Sequence, residues 1–419
     1  MNELEKLAVL SGAAKYDVSC ASSGSRHRAT CGGMGNAARL GVCHSWSDDG
    51  RCISLLKILF SNRCVFDCAY CANRRSSNVP RATFTVDEVV TLTISFYRRN
   101  YIEGLFLSSG VESSADKTME QMVEVVRRLR VEHQFNGYVH LKALPGASQE
   151  IINRAGLYAD RLSVNIELPS EESLVRLAPQ KGRSNILVPM GQIAGAISAN
   201  REERKRLRHV PSFAPAGQST QLIVSASPEH DAHILRLSEN LYQRYRLKRV
   251  YYSAYVPVND DARLPQPPAP DMLREHRLYQ ADWLVRLYGF ASKELLDGST
   301  TDLDREVDPK CAWALHHMEW FPVEINRADY EALLRVPGIG MRSAKRIVAS
   351  RRVAQIRFED LRKLGVVMRR ARYFITCQGR YLESTRLGST AVRARLVKPA
   401  KDPTELVGIA SQPELFGEL

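Results

Sequence analysis

The sequence predicts an α/β fold built on a parallel sheet and followed by a small all-α domain, and three observations carry that expectation. From Ile53 onward, short apolar runs rich in β-branched and aromatic residues alternate with helical patterns. At 419 residues the chain exceeds what one hydrophobic core usually organises, so one large and one small domain are expected. The charge is uneven: residues 324–400 hold 18 Lys and Arg against 6 Asp and Glu, nearly the whole of the formal net charge of +13.

The candidate strands are 53–60, 104–109, 138–144, 161–168, 220–226 and 250–257. One intervening helix opens on the capping box Thr85-Val86-Asp87-Glu88. Another sets Met119, Met122, Val123, Val126 and Leu129 at helical spacing, a stripe that packs on a sheet. Six strands alternating with helices predict right-handed crossovers, in a sheet either doubly wound or curled into an open barrel. In both, ligands sit at the carboxyl ends of the strands, so the loops after strands are where chemistry belongs. Residues 257–270 carry five prolines and predict an extended crossing, with a helix at 271–287 and a second boundary at 320–324. Beyond Arg380 the tail reads as weakly structured.

No run approaches the roughly 18 apolar residues that span a bilayer, and residues 1–13 lack a basic n-region and a long apolar core. The expectation is a cytoplasmic protein with no membrane partner. In a reducing compartment, nine cysteines point to metal binding or catalysis rather than a disulfide framework.

Three of them follow the first strand as Cys64-Val65-Phe66-Asp67-Cys68-Ala69-Tyr70-Cys71. Three thiolates this close can ligate three irons of a cubane and leave the fourth open. A structural zinc would need a fourth nearby ligand, and none follows at zinc-knuckle spacing. With Tyr70 before the last cysteine, the loop resembles the radical S-adenosylmethionine (SAM) superfamily, whose signature is C-x3-C-x-aromatic-C directly after the first barrel strand. The resemblance implies a partial (βα)6 TIM-like barrel, a 4Fe-4S cluster on Cys64, Cys68 and Cys71, and SAM chelated by the open iron. It further implies reductive cleavage of SAM to a 5′-deoxyadenosyl radical, driven by an electron donor such as flavodoxin or ferredoxin. That chemistry belongs largely to the cofactor, while the protein positions and shields it.

By the same resemblance, Leu107-Ser108-Ser109-Gly110-Val111-Glu112 stands where the family has a Gly-Gly-Glu-like stretch contacting the SAM amino group. Serine hydroxyls, exposed backbone or Glu112 could make that contact. On the fourth strand Ser163, Asn165 and Glu167 alternate, which puts them on one face, as similar enzymes do with polar residues that reach SAM. An inward Glu167 in a strand otherwise apolar is hard to explain by packing alone. The cofactor-binding set is therefore Tyr70, Ser108, Ser109, Gly110, Glu112, Asn165 and Glu167. Cys20, Cys31, Cys43 and Cys52, with His44 adjacent, could hold an auxiliary cluster or a zinc, or be ordinary buried thiols. Cys311 and Cys377 read as core residues in helical contexts.

Toward the C-terminus, Leu333 and Leu334 precede Val336-Pro337-Gly338-Ile339-Gly340, and Ala344, Ile347 and Val348 follow. Two short amphipathic helices joined by a glycine hairpin would leave backbone N–H groups at the start of the second helix, which suits a phosphate oxygen. Arg342, Lys345 and Arg346 flank the turn. This closely resembles the helix-hairpin-helix motif of DNA repair and uptake proteins, and the resemblance assigns nucleic-acid binding to Gly338, Ile339, Gly340, Arg342 and Lys345. Residues 358–366 with Ala371 look like a degenerate second copy. Hairpins of this kind that mediate protein contacts are the structural alternative.

The resulting order is a Cys-rich lead at 1–52, a radical SAM barrel at 53–320, a helix-hairpin-helix domain at 324–380 and a basic tail at 381–419. It resembles bacterial radical SAM proteins assigned to DNA modification or repair, a likeness that includes Cys43-His44-Ser45-Trp46 and the stretch 274–283, both expected on the substrate side. The implied function is hydrogen abstraction from DNA, with DNA as partner and a second DNA-repair enzyme as a further one. A base in a duplex would have to be extruded to reach the radical. An RNA-modifying enzyme is the nearest alternative, and a non-catalytic iron-sulfur DNA-binding redox sensor is the alternative from another class. No Ser-His-Asp or paired-carboxylate constellation can be placed, so no catalytic side chain is assigned.

Overall fold

The computed structural model describes residues 1–14, 42–46, 52–207, 209–297, 300–383 and 387–397. The chain divides into two compact units, Met1–Glu229 with Asn240–Asp271, and His230–Glu239 with Met272–Leu419.

In the first unit the elements run α1 (Glu3–Ala14), β1 (Val42–Trp46), β2 (Cys52–Leu59), α2 (Val86–Arg98), β3 (Gly104–Ser108), α3 (Ala115–Val131) and β4 (Tyr138–Lys142). They continue through α4 (Gln149–Tyr158), β5 (Arg161–Ser163), α5 (Glu171–Leu177), α6 (Ser184–Arg206), β6 (Gln218–Val224), α7 (Asp231–Tyr245), which crosses the division, and β7 (Arg249–Ala254). Strands β2 to β7 lie side by side in chain order, all parallel, and form the half-barrel expected of a partial (βα)6 fold. β1 pairs antiparallel with β2, a hairpin that the alternating pattern does not announce.

Strand alternation explains how the sheet is clothed. Leu56, Ile58, Leu105, Leu107, Val139 and Leu141 share one face and are fully buried, as is the apolar stripe of α3. On the same face Gln218 donates its amide to the carbonyls of Met190 on α6 and Tyr245 on α7, so this is the helix side. Helix α2 starts at Val86 as its capping box predicts: the Glu88 amide donates to Thr85 Oγ1 at 3.2 Å and the Thr85 amide to Glu88 Oε2 at 2.7 Å.

The fourth parallel strand is shorter than the predicted 161–168. Between the registered pair Ser163↔Ser219 and the bridge Glu167↔Leu222, one chain advances four residues while its partner advances three. The surplus residue forms a bulge, with Glu167 at φ 65°. Thr220 bridges the interruption, donating its hydroxyl to Val164 O at 2.7 Å and accepting from Ile166 N at 2.8 Å. Asn165 and Glu167 thus lie beyond the strand rather than at consecutive same-face positions of it.

The second unit holds α8 (Met272–Leu287), α9 (Ser292–Leu295), α10 (Pro309–His316), β8 (Val323–Glu324), α11 (Tyr330–Arg335), α12 (Met341–Ser350), α13 (Phe358–Lys363) and α14 (Met368–Ala371). It ends with β9 (Ile375–Cys377), β10 (Arg380–Tyr381) and α15 (Ser389–Leu396). The helical hairpins are as expected, and a small sheet of order β10-β9-β8 accompanies them. Cys311 lies on α10, whereas Cys377 sits on a strand instead of a helix; both are buried. Helix α15 occupies a stretch that the sequence reads as weakly structured. Much of the polarity of 274–283 ties this unit together: Arg274 Nε pairs with Asp231 Oδ1 at 2.7 Å, and Arg277 donates to the carbonyls of Asp304 and Arg305.

Because Thr220 replaces two ladder bonds by one side chain, Thr220→Val leaves buried backbone groups unsatisfied. It should lower the unfolding free energy in urea by about 1–3 kcal/mol, with Thr220→Ser close to wild type.

Candidate cluster site and helical hairpins

The loop carrying the three cysteines leaves β2 and is held by its own backbone. Asn62 clasps the returning segment through Nδ2 to Pro80 O and through Oδ1 from Ala82 N, both at 2.8 Å. The Arg81 guanidinium donates to the carbonyls of Asn62, Asn73, Arg74 and Ser77, drawing the loop around one cation. Val65 N bonds Val111 O at 2.8 Å. At Gly110 a Cβ would lie 2.5 Å from Arg63 O and 3.2 Å from Cys64 Cβ, so only glycine lets the end of β3 approach the cysteine loop this closely.

Cys68 is buried and Cys64 and Cys71 are half-buried, all three as free thiols. Burial, then the charge of Cys68, pushes the Cys71 thiol up to about 12, although the Asn73 amide points at its sulfur from 3.4 Å. Burial likewise raises Cys68. Thiols so placed resist ionising alone and ionise readily against bound cations, which fits a metal-ligating donor set. Among the described residues no three His, Cys, Asp or Glu side chains converge on a single ion. Thiolates that each ligate a different iron of a cubane need to spread more widely than that.

Two clusters of the predicted cofactor residues emerge. In one, Lys181 Nζ lies 2.8 Å from Glu167 Oε1, 3.4 Å from Tyr70 OH and 5.7 Å from the Tyr70 ring centroid. Burial alone would depress the Lys181 ammonium, but the ion pair with the Glu167 carboxylate outweighs it and the group is shifted up. In the other, Ser61 N donates to Ser109 Oγ at 3.2 Å, Ser61 Oγ meets Thr83 Oγ1 at 2.7 Å, and Thr83 donates to Glu112 Oε1 at 3.0 Å. Ser108 is fully buried at the end of β3, and Asn165 Nδ2 reaches Gln221 Oε1 at 3.4 Å.

Sequence reasoning missed Lys181 and the residues of 257–270. That segment is more than a crossing. Asn259 Nδ2 donates to Ala69 O at 2.8 Å, and Arg74 Nη1 meets Asp261 Oδ2 at 2.8 Å. Arg263 grips the same carboxylate through both oxygens, at 2.9 and 2.7 Å, and holds it well below the usual carboxylate range. The cysteine loop is thereby strapped down from the side of β7. The spacing Asn-x-Asp-x-Arg was the available signal, since Asx side chains close such turns locally.

In the second unit, Gly338 (φ 86°) and Gly365 (φ 89°) take left-handed turns at equivalent places, so the degenerate copy is a true second hairpin. The two interlock: Val367 N donates to Gly338 O and Ser343 Oγ to Gly365 O, both at 2.8 Å. A Cβ on Gly338 would sit 2.6 Å from Val367 O. Ile339 is buried and its carbonyl accepts from Lys310 Nζ at 2.6 Å, while Gly340 caps α12. Arg342, Lys345 and Arg346 are exposed beside it, and Arg369 and Arg370 are exposed at the second hairpin. Cys20 and Cys31 lie outside the described residues; Cys43 and Cys52 are on β1 and β2, with side chains outside the description.

Residues 58–187 match the family model of the Radical SAM superfamily, and residues 321–369 match that of the helix-hairpin-helix motif. A radical SAM domain and a helix-hairpin-helix motif are therefore present in this chain. Such a domain implies a radical SAM enzyme, with a 4Fe-4S cluster and SAM as cofactors and an electron donor as partner. No curated protein matches the sequence. Among solved structures, HydG, a maturase of the FeFe hydrogenase, is similar at 14% identity and a TM-score of 0.40, over 54% of this chain and 48% of its own. The chain thus spans about half the length of HydG. A radical SAM methyltransferase from Sphaerobacter thermophilus is similar at 17% identity and a TM-score of 0.36, over 57% of this chain and 69% of its own. Among the described residues no helix is long and apolar enough to cross a membrane.

Lys181→Met should strand the buried Glu167 carboxylate and cost about 3–5 kcal/mol of stability, largely restored in Lys181→Arg, by chemical denaturation of the cluster-free protein.

Proposed function

We propose that the chain is a radical SAM enzyme that acts on DNA. The observation that carries this reading is the presence, in one chain, of a three-cysteine loop at the carboxyl end of a half-barrel strand and two interlocked glycine hairpins flanked by exposed arginines and lysines. On this reading 1–52 is a lead segment, 53–320 the barrel, 324–380 the DNA-binding domain and 381–419 a basic tail.

Cys64, Cys68 and Cys71 hold a 4Fe-4S cluster. Tyr70, Ser108, Ser109, Gly110, Glu112, Asn165 and Glu167 form the surroundings of SAM, with Lys181 fixing Glu167 and Tyr70 as a positioning residue. When bound, the cluster and SAM supply one-electron reductive cleavage of a carbon–sulfur bond, which starts hydrogen abstraction from substrate. The protein binds and orients them, and the buried setting of Cys68 and Glu167 keeps water away. Gly338 and Gly340 present backbone, Ile339 anchors the turn between them from its buried position, and Arg342 and Lys345 present charge to the phosphodiester chain. Such contacts position DNA without reading its sequence. A cytoplasmic flavodoxin or ferredoxin fits as electron donor, and a second DNA-repair enzyme as the step that completes the product. Iron and zinc counted per chain read whether Cys20, Cys31, Cys43 and Cys52 hold a second metal.

After anaerobic reconstitution, dithionite-driven release of 5′-deoxyadenosine should require Cys68, disappearing in Cys68→Ala, and should rise with double-stranded DNA. A greater rise with RNA would favour RNA modification, and no release from a fully loaded protein would leave the redox sensor. In binding titrations across salt concentration, Arg342→Ala and Lys345→Ala should each reduce the salt slope by about 1, equally for unrelated DNA sequences.

A further inference from the structure

A trans peptide group holds its C=O and N–H on opposite sides, so whatever grips the carbonyl also aims the amide. In the first hairpin the peptide joining Ile339 to Gly340 is trans and is gripped from within. Lys310, on α10 and only 8% exposed, donates from Nζ to Ile339 O at 2.6 Å, and its ammonium lies 4.8 Å from the Tyr288 ring centroid. The Gly340 N–H therefore points away from the interior that buries Lys310, at a residue that is itself only half-buried. The preceding carbonyl is held as well, since Gly338 O accepts from Val367 N.

The two turns spend their amides differently. In Gly365-Val366-Val367 all three N–H groups are taken by the chain: Gly365 donates to Arg362 O at 3.1 Å, Val366 to Leu361 O at 3.0 Å and Val367 to Gly338 O at 2.8 Å. In Gly338-Ile339-Gly340, Ile339 N donates to Val336 O at 3.1 Å, while among the described residues the Gly338 and Gly340 amides meet no acceptor. A branched, exposed side chain at Val367 stands where the first turn has the bare Gly340. Beyond it, Arg370 turns Nη1 to Asp308 Oδ2 at 3.2 Å, the carboxylate that caps α10. The second hairpin is thus tied both to the first and to the end of α10 that carries Lys310.

We infer that the phosphate grip is one-sided: the first hairpin alone holds a phosphodiester chain by its amides, Lys310 is the positioning residue that aims the Gly340 amide at a phosphate oxygen, and the second hairpin is the brace. The inference rests on the nucleic-acid reading above and narrows its substrate class to one strand, alone or within a duplex. A pair of equal turns would offer a grip to each backbone of a duplex; these turns offer one. Lys310 touches no phosphate, because its ammonium is buried against a carbonyl, so it releases no counterion from nucleic acid.

The test uses the full-length, cluster-loaded protein, isotopically labelled at glycine nitrogen, with a short DNA single strand and the duplex of the same sequence as probes. Either probe should move the Gly338 and Gly340 amide resonances and leave that of Gly365 in place. Salt slopes, converted at about 0.7 per phosphate for a single strand and about 0.9 for a duplex, should give the same number of phosphates for both. Lys310→Met should weaken both probes roughly tenfold or more, the factor for one lost charge-assisted hydrogen bond, with the salt slope unchanged and the Gly340 response gone. A Gly365 response equal to that of Gly340 would overturn the one-sided grip, as would a duplex that engages about twice as many phosphates as the single strand; both are read on the wild type. Positioning by Lys310 is overturned if Lys310→Met binds as the wild type does, lowers the salt slope by about 1 as loss of a direct phosphate contact would, or displaces the Gly365 resonance before any DNA is added, the mark of a purely structural residue. If neither probe binds the wild type, the nucleic-acid reading itself fails. If both bind while Gly338 and Gly340 stay still, only the hairpin grip does.

Discussion

Burying the Glu167 carboxylate at the mouth of the half-barrel demands a cation, and the way that demand is met organises the surroundings of the cysteine loop. Lys181 supplies the charge from the turn after α5, and the last residue of α5 accepts the Ala69 amide at Leu177 O, 2.7 Å away. Tyr70 completes the arrangement from within the loop. Isolated buried charges are prohibitively costly, so the loop, the bulge after β5 and the α5–α6 turn hold position together or not at all. The Thr220 hydroxyl is part of the same constraint, because without the bulge Glu167 would point elsewhere.

A second consequence follows from how the strands divide their faces. The helix side collects the Leu, Ile and Val residues that drive folding, so the inner side is released from that duty and can be polar. That division explains how a small barrel carries His140, Ser163, Ser219 and Gln221 in its interior without forfeiting its core.

What the sequence discloses and what it conceals differ by range. The three cysteines are legible because they fall in one loop at a recognisable spacing, and the hairpins are legible because their glycines, apolar residues and charges lie within a few positions of one another. The six parallel strands and the Thr85 capping box are local patterns too. Lys181 is not legible, since its partner is 14 residues away across a bulge that no residue pattern announces. The β1 hairpin, the small sheet at β8 to β10 and the strap at Asn259 and Asp261 depend on pairings whose far ends carry no mark. The four N-terminal cysteines illustrate the opposite case, in which residue types suggest a site and their spacing does not define one.

The two halves of the chemistry impose different demands on recognition. Glycine hairpins that interlock through Gly338 and Val367 present backbone and diffuse charge, which any stretch of phosphodiester satisfies equally well. A radical competent to abstract hydrogen is itself indiscriminate, so selectivity has to reside where the reacting group is held. The half-barrel has polar side chains that its strands hold in place, His140 against Ser163 and Gln221 against Asn165. On the proposed reading, phosphate contacts at the hairpins set how long the chain stays on a nucleic acid, and the choice of reacting group is left to the half-barrel.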